Sequence, residues 1–225
     1  VAVAVAEGTR SGWTSGELAR QVARVRDARP TAVNLAWGAD RAAAYVGDGV
    51  QAVVAEAQRL MEEDLAANRE LSRHGADWIL TRPDLAGRTD AGVRVLTHCN
   101  AGALATTGWG TALGVVRELL ERGRLGRVYA DETRPLLQGA RLTAWELERM
   151  GAEHVVQVDS AAAGTIVGGH VDVAVVGADR IAANGDTANK VGTLGVALAC
   201  AHAGIPFVAA APQSTVDRAT APGHD

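Results

Sequence analysis

Two rhythms of apolar residues divide this sequence. Over the first ninety residues they recur at helical spacing, and no run alternates convincingly as a strand. Thr14 or Ser15 is placed to cap a helix running to about Asp27, and Arg29-Pro30-Thr31 restarts the chain toward a second helix through Trp37 and Ala44. A long third helix is predicted from about Asp48 to Gly75, where Val50, Val53, Val54, Ala57, Leu60, Met61, Leu65 and Leu71 repeat every three or four positions. Beyond Gly92 short Val-rich runs take over. Val93 to His98, Arg127 to Ala130, His154 to Val158, Val171 to Val176 and Phe207 to Ala210 read as strands. Between them, Gly110 to Arg122, Gln138 to Met150, Ser160 to Gly168 and Asn189 to Ala203 read as helices. Such alternation requires a parallel sheet covered on both faces. The fold class expected is therefore α/β: a helical N-terminal region, 1-90, and a doubly wound, mostly parallel, Rossmann-like region, 91-225, joined near Thr89 to Gly92.

Composition narrows the function. With 225 residues, 48% hydrophobic and 21% charged, the chain has the make-up of a folded protein rather than a disordered one. A formal charge of -4, with scattered basic residues and no basic stripe, predicts no nucleic-acid partner. No apolar run reaches membrane-spanning length, and the opening Val1 to Ala6 stretch meets Glu7 too early for a signal-peptide core, so a soluble protein without a membrane partner is expected. Cys99 and Cys200 lie far apart, which fits neither a disulfide framework nor a thiolate zinc site and favours a reducing cytoplasm. His74, His154, His170, His202 and His224 are dispersed without metal-ligand spacing, so no metal is predicted. No complete dinucleotide-binding or Walker pattern appears, and no cofactor is expected. The chain opens on Val1 and stops at Pro222-Gly223-His224-Asp225 with no recognisable end to the last element, so a fragment is expected.

The candidate chemistry gathers where strands end. Cys99 closes the first strand, followed by Asn100-Ala101-Gly102 and then Thr106-Thr107-Gly108-Trp109-Gly110, a setting in which backbone N–H groups face an anion. Asp179 follows the fourth strand at the same expected edge, where apolar surroundings would raise a carboxyl pKa toward that of a general acid. Asn189-Lys190 at a predicted helix start supplies an amide and a flexible cation for a phosphate. Asp131 to Thr143 packs polar side chains after the second strand, with Glu132 and Arg134 read as braces. Plainer alternatives stay open at this point: a core thiol, a loop-capping carboxylate, a solvated lysine. His98 is read as structural, because neighbouring strand residues face opposite sides, and Cys200 as core.

Together, Leu96-Thr97-His98-Cys99-Asn100-Ala101-Gly102, Glu132-Thr133-Arg134-Pro135, Gln138-Gly139-Ala140-Arg141-Leu142-Thr143, Gly177-Ala178-Asp179-Arg180-Ile181 and Asn189-Lys190-Val191-Gly192-Thr193 resemble the methylthioribose-1-phosphate isomerase family in order and spacing. Arg29-Pro30-Thr31-Ala32-Val33-Asn34-Leu35 extends the similarity into the helical region. The wider superfamily includes ribose-1,5-bisphosphate isomerases and regulatory subunits of the eukaryotic initiation exchange factor, and of these the regulatory subunits lack the equivalents of Cys99 and Asp179. The resemblance implies an aldose-ketose isomerase of methionine salvage acting on a sugar phosphate, with Cys99 and Asp179 catalytic and Arg29, Gln138, Asn189 and Lys190 binding substrate. It also implies a homodimer. An Arg-Gly-Ala-Pro substrate loop, normal in the family ahead of the position of Val1, is expected to be missing, as is the continuation after Gln213-Ser214-Thr215-Val216-Asp217.

Overall fold

The structure, a computed structural model, describes residues 1–85 and 91–220. The expected join at Thr89 therefore lies outside the described residues. Helices come first: α1 (Ala2–Ser11), α2 (Ser15–Arg26), α3 (Val33–Ala43) and the 31-residue α4 (Val50–Leu80). Thr14 caps α2 by accepting from the Glu17 N–H at 3.2 Å, while Glu17 accepts from the Thr14 N–H at 2.7 Å, so each residue satisfies an otherwise orphaned donor. The inward stripe of α4 is more polar than its apolar residues suggest. Met61 is exposed, whereas Glu56, Asn68 and Ser72 are buried beside Val53, Ala76 and Ile79. Glu56 is tolerated because Arg41 and Arg59 reach its two oxygens at 2.8 and 2.9 Å.

The sheet follows as β1 (Val93–Thr97), β2 (Leu125–Asp131), β3 (His154–Gln157), β4 (Val173–Val176) and β7 (Phe207–Ala209), all parallel and ordered β3-β2-β1-β4-β7. Its connecting helices are α5 (Ala112–Glu121), α6 (Ala144–Met150), α7 (Ala162–Val167) and α8 (Thr193–Ala203). A smaller sheet runs β6-β5-β8, from β5 (Arg180–Ala182), β6 (Thr187–Ala188) and β8 (Val216–Asp217). No helix among the described residues is long and apolar enough to cross a membrane.

Period-two alternation sorts the main sheet's side chains into two cores. Val93, Val95, Val173 and Val175 join α5 and Leu147 of α6, while Leu96 and Ala174 join Ile166 of α7 and Val196 and Cys200 of α8. From β1 the chain winds outward to β2 and β3, then returns to the other side of β1 as β4. The carboxyl ends of β1 and β4 flank that reversal, where open α/β sheets bind ligands. Two compact units interleave in sequence: Val1–Asp64, Asp179–Thr187 and Gln213–Asp225 form one, and Leu65–Ala178 with Ala188–Pro212 the other.

Two of the expected helices begin differently. Residues Gly139–Thr143 form a π-helical turn before α6, and α8 starts only at Thr193, leaving Asn189 to Gly192 outside it. Gly192 takes a left-handed φ of 105° and lies against the His98 ring, so a side chain there would sit 2.6 Å from Cε1. Gly139 is equally constrained, since an added Cβ would fall 1.6 Å from the Asp131 carbonyl oxygen.

A buried polar pair spans β1 and β2. His98 and Asp131, each about 1% exposed, meet at 2.9 Å through Nδ1 and Oδ2, and His98 Nε2 lies 2.7 Å from the Val191 carbonyl. Both ring nitrogens therefore face acceptors, which is the environment of an imidazolium. Burial pulls the His98 pKa down, but the bonds to Asp131 and Val191 and the charges of Asp131 and Asp159 outweigh it, and the net shift is upward.

Gly139→Ala is expected to destabilise the fold by about 1–3 kcal/mol through overpacking, seen as a thermal midpoint several degrees lower; an unchanged midpoint would show that the turn relaxes freely. The folded chain also holds the His98 proton more tightly than an unfolded one. That contribution to stability is complete below about pH 6.5, the ordinary imidazole value, and is lost as pH rises through the higher folded-state value. Chemical denaturation across pH should show this decline, and a His98→Gln variant should lack it.

Candidate active site

Cys99 sits two residues past the end of β1 and is half-buried, with a left-handed φ of 70°. That conformation breaks the strand's alternation and redirects the side chain. Its backbone is gripped on both sides. The Cys99 N–H donates to Thr133 Oγ1 at 2.8 Å, and the Thr143 hydroxyl donates to the Cys99 carbonyl at 2.6 Å. Thr133 lies just past β2, buried, with φ 65°; its own N–H donates to Asp159 Oδ1 at 2.7 Å and its hydroxyl to the Asp131 carbonyl at 2.9 Å. Thr143 is presented by the π-helical turn, a local over-wide winding that recurs at functional sites. Among the described residues, the non-glycine positions of positive φ are Cys99, Thr133 and Leu137, all at this edge of the sheet.

The segment after Cys99 is bound to α6. Glu146, buried, accepts from Asn100 Nδ2 at 2.9 Å and from the Ala103 N–H at 2.7 Å. Gly177, just past β4, packs closely enough on Ala101 that an added Cβ would lie 2.8 Å from the Ala101 Cβ. The exits of β1 and β4 thus run side by side.

Of the predicted substrate-binding residues, Gln138, Asn189 and Lys190 share the unit that holds Cys99. With its amide oriented to satisfy both neighbours, Gln138 donates to the Thr133 carbonyl at 3.3 Å and accepts from Lys190 Nζ at 3.3 Å. Asn189 donates to Thr193 Oγ1 at 3.0 Å, and Thr193 donates to the Lys190 carbonyl at 2.7 Å, which ties the turn to the start of α8. Lys190 is the chain's single lysine; the other 21 of its 22 Lys and Arg residues are arginines. A compact point charge on a flexible stem, rather than a planar fork, stands at this position.

Asp179 and Arg29 belong to the other unit. Arg29 is exposed and Asp179 half-buried. The Asp179 carbonyl accepts from the Val33 N–H at 3.3 Å, and Arg180 donates to the Pro30 carbonyl at 3.2 Å, so the turn bearing Arg29 is fastened to the residues around Asp179. Arg180 also pairs with Asp217 at 3.2 Å.

His98, Asp131 and Asp159 bring three metal-capable groups within 4.8 Å of one another, yet each of their atoms already has a protein partner. His98 uses both nitrogens, Asp131 Oδ1 accepts from Gln157 at 2.8 Å, and Asp159 accepts from the N–H groups of Thr133 and Arg134 at 2.7 and 2.6 Å. The set acts as a hydrogen-bonded floor beneath Cys99. No ion pair joins Glu132 to Arg134 among the described residues; Asp159, which sequence reasoning passed over, does the bracing. Thr133, Thr143 and Glu146 were missed as well. The one available signal was the density of polar residues from Asp131 to Thr143.

Known proteins resemble this chain over nearly its whole length. The pattern of the Initiation factor 2 subunit family matches residues 6–225. The methylthioribose-1-phosphate isomerase of Gemmatimonas aurantiaca is 51% identical over 230 residues, covering 100% of this chain and 64% of the relative, and that of Anaeromyxobacter dehalogenans is 50% identical, covering 100% and 63%. The crystal structure of 5-methylthioribose 1-phosphate isomerase from Pyrococcus horikoshii superposes with a TM-score of 0.77 at 39% identity, covering 91% of this chain and 57% of that one. A structure described as translation initiation factor eIF-2B, subunit delta, from A. fulgidus gives 0.72 at 42% identity, covering 93% and 62%. The chain spans less than two thirds of the length of these relatives. Matched across nearly all of its residues, the chain belongs to the Initiation factor 2 subunit family.

Proposed function

We propose that this protein is an aldose-ketose isomerase that converts 5-methylthioribose 1-phosphate into 5-methylthioribulose 1-phosphate in methionine salvage. The observation that carries the reading is a continuous run of hydrogen bonds at the carboxyl edge of the sheet: from the Cys99 N–H to Thr133, from the Thr133 carbonyl to Gln138, and from Gln138 to Lys190. A thiol and a cation are thereby held to one scaffold, as a nucleophilic base and a phosphate anchor require. Identity of about half over the whole chain to methylthioribose-1-phosphate isomerases supports the same assignment.

The roles follow from the substrate's chemistry. Phosphate on the anomeric oxygen locks the sugar as a ring, so the free aldehyde used by ordinary aldose isomerases is missing and ring opening needs an acid. In this reading Asp179 protonates the ring oxygen, and Cys99 as thiolate removes the C2 proton and returns it to C1 through an enolate-like intermediate. The C2 hydroxyl gives its proton to the Asp179 carboxylate as it becomes the ketone, which restores the acid, so the sugar isomerises with no net change in oxidation state. A hydride shift from C2 to C1 would use the same residues, and the two routes differ in whether deuterium from heavy water enters C1. Lys190 and Asn189 hold the phosphate, with Gln138 and Arg29 orienting the sugar. The reaction as drawn calls for no metal or cofactor. The same reading takes 1-90 as a helical domain and 91-225 as the Rossmann-like catalytic domain of a cytoplasmic homodimer.

Cys99→Ser and Asp179→Asn in the intact protein are each expected to lower kcat by about a hundredfold or more, with thermal midpoints close to the parent's. A near-normal rate in either variant removes that residue from the chemistry. Across a panel of pentose 1-phosphates, turnover should be highest with the methylthio sugar. Preference for ribose 1,5-bisphosphate or 5-deoxyribose 1-phosphate would reassign the substrate, and binding without turnover on every member would mark a regulatory module instead.

A further inference from the structure

We infer that His98 is a positioning residue for phosphate binding: with Asp131 behind it, the ring anchors the Asn189–Gly192 turn to the sheet so that Lys190 and Asn189 meet the phosphate. This rests on the phosphate role given above to Asn189 and Lys190. The alternative is a histidine that only fills the core.

The turn's own bonds are local. Asn189 bonds Thr193, and Thr193 bonds the Lys190 carbonyl, so these contacts shape the turn without fixing it to the sheet. The Val191 side chain is 68% exposed and contributes little packing. Beyond the longer Lys190 Nζ contact with Gln138 at 3.3 Å, attachment comes from the backbone. The Val191 carbonyl points inward to His98 Nε2 at 2.7 Å, and Gly192, kept bare by the ring, lets the chain approach that closely. His98 is oriented by Asp131 at 2.9 Å, and Asp131 by Gln157 Nε2 at 2.8 Å, whose side-chain Oε1 accepts from the Thr165 hydroxyl at 2.7 Å. Asp159 is the other charged group close enough to influence the ring. The Asp131 carbonyl also accepts from Thr133, which holds Cys99. One buried pair therefore sets both the lysine turn and the cysteine backbone. A residue chosen only to fill space would have no need to satisfy a carbonyl and a carboxylate at once.

The test is a double-mutant cycle on the intact protein, read by calorimetric titration with inorganic phosphate and by substrate kinetics. His98→Gln is expected to weaken phosphate binding about tenfold, the scale of one lost bond to a charged group, and to raise KM while kcat changes by less than about threefold. Lys190→Met should weaken binding as well. The two losses should be less than additive, because both act through that turn; what His98→Gln still costs in the Lys190→Met background is the share carried by Asn189. Additive losses, an unchanged phosphate affinity, or a fall confined to kcat would each overturn the inference, as would a parent protein that binds no phosphate. If His98→Gln does not fold cooperatively, Asp131→Asn takes its place with the same expected and overturning results. Parent protein that binds phosphate but turns over no pentose 1-phosphate would defeat the isomerase reading alone, leaving the cycle to decide on His98.

Discussion

Two hydroxyls hold the backbone of Cys99, and the rest of the sheet's carboxyl edge is organised around that grip. A left-handed conformation at a non-glycine residue costs on the order of 1–3 kcal/mol, and Cys99, Thr133 and Leu137 all adopt one. Such strain persists only where neighbours overdetermine the geometry. Here Thr133 receives the Cys99 N–H, Thr143 fills its carbonyl, and Asp159 receives the N–H of Thr133 in turn. Each bond is worth about 0.5–1.5 kcal/mol net, but leaving the same buried groups unmatched would cost more. The fold thus spends its polar groups on one strand exit, which is where chemistry needs rigidity.

Charge is arranged with the same economy. The His98–Asp131 pair carries no net charge into the interior, and its second hydrogen bonds, to Val191 and Gln157, satisfy what the pair leaves over. Several arginines pair with carboxylates, Arg41 with Glu56, Arg94 with Asp172 and Arg122 with Asp77, and others lie over tryptophan rings. Lys190 differs. Its ammonium meets the neutral Gln138 amide, and no carboxylate pairs with it within 4 Å among the described residues. A chain that otherwise uses arginine throughout keeps its lysine where an uncompensated positive charge beside a helix start would attract an anion.

Much of the architecture was legible because it depends on local pattern. Val-rich runs marked β1 to β4 and β7, and Thr14 or Ser15 marked the start of α2. The start of α8 was misplaced by four residues because the Gly192 turn is held by a histidine almost a hundred positions earlier, a partner no local window contains. Nothing local marks Glu56 as buried, since its arginines come from another helix and from the next turn. The π-helical turn left no periodic trace. Cys99, Gln138, Asn189 and Lys190 were picked out by motif and do share one unit, whereas Thr133, Thr143 and Asp159 were not, because a threonine or aspartate that grips another residue's backbone is indistinguishable in sequence from one facing water.

The two cysteines show how far position rather than residue type decides chemistry. Cys200 lies within α8, wholly buried among Leu96, Ile166, Ala174 and Val196, and burial pushes its thiol up to about 11. At neutral pH it is a small apolar filler. Cys99 has the same side chain, but it stands past the end of a strand, half-buried, turned out of register, with its backbone immobilised and a lysine turn built onto the same network. A thiolate requires solvent contact or stabilising charge that a helix core cannot supply, and a base requires a fixed direction that a mobile loop cannot supply. The strand exit gives partial exposure together with a rigid frame. Burial already sets the two residues apart, and the held backbone of Cys99 adds the fixed direction that the proposed base requires.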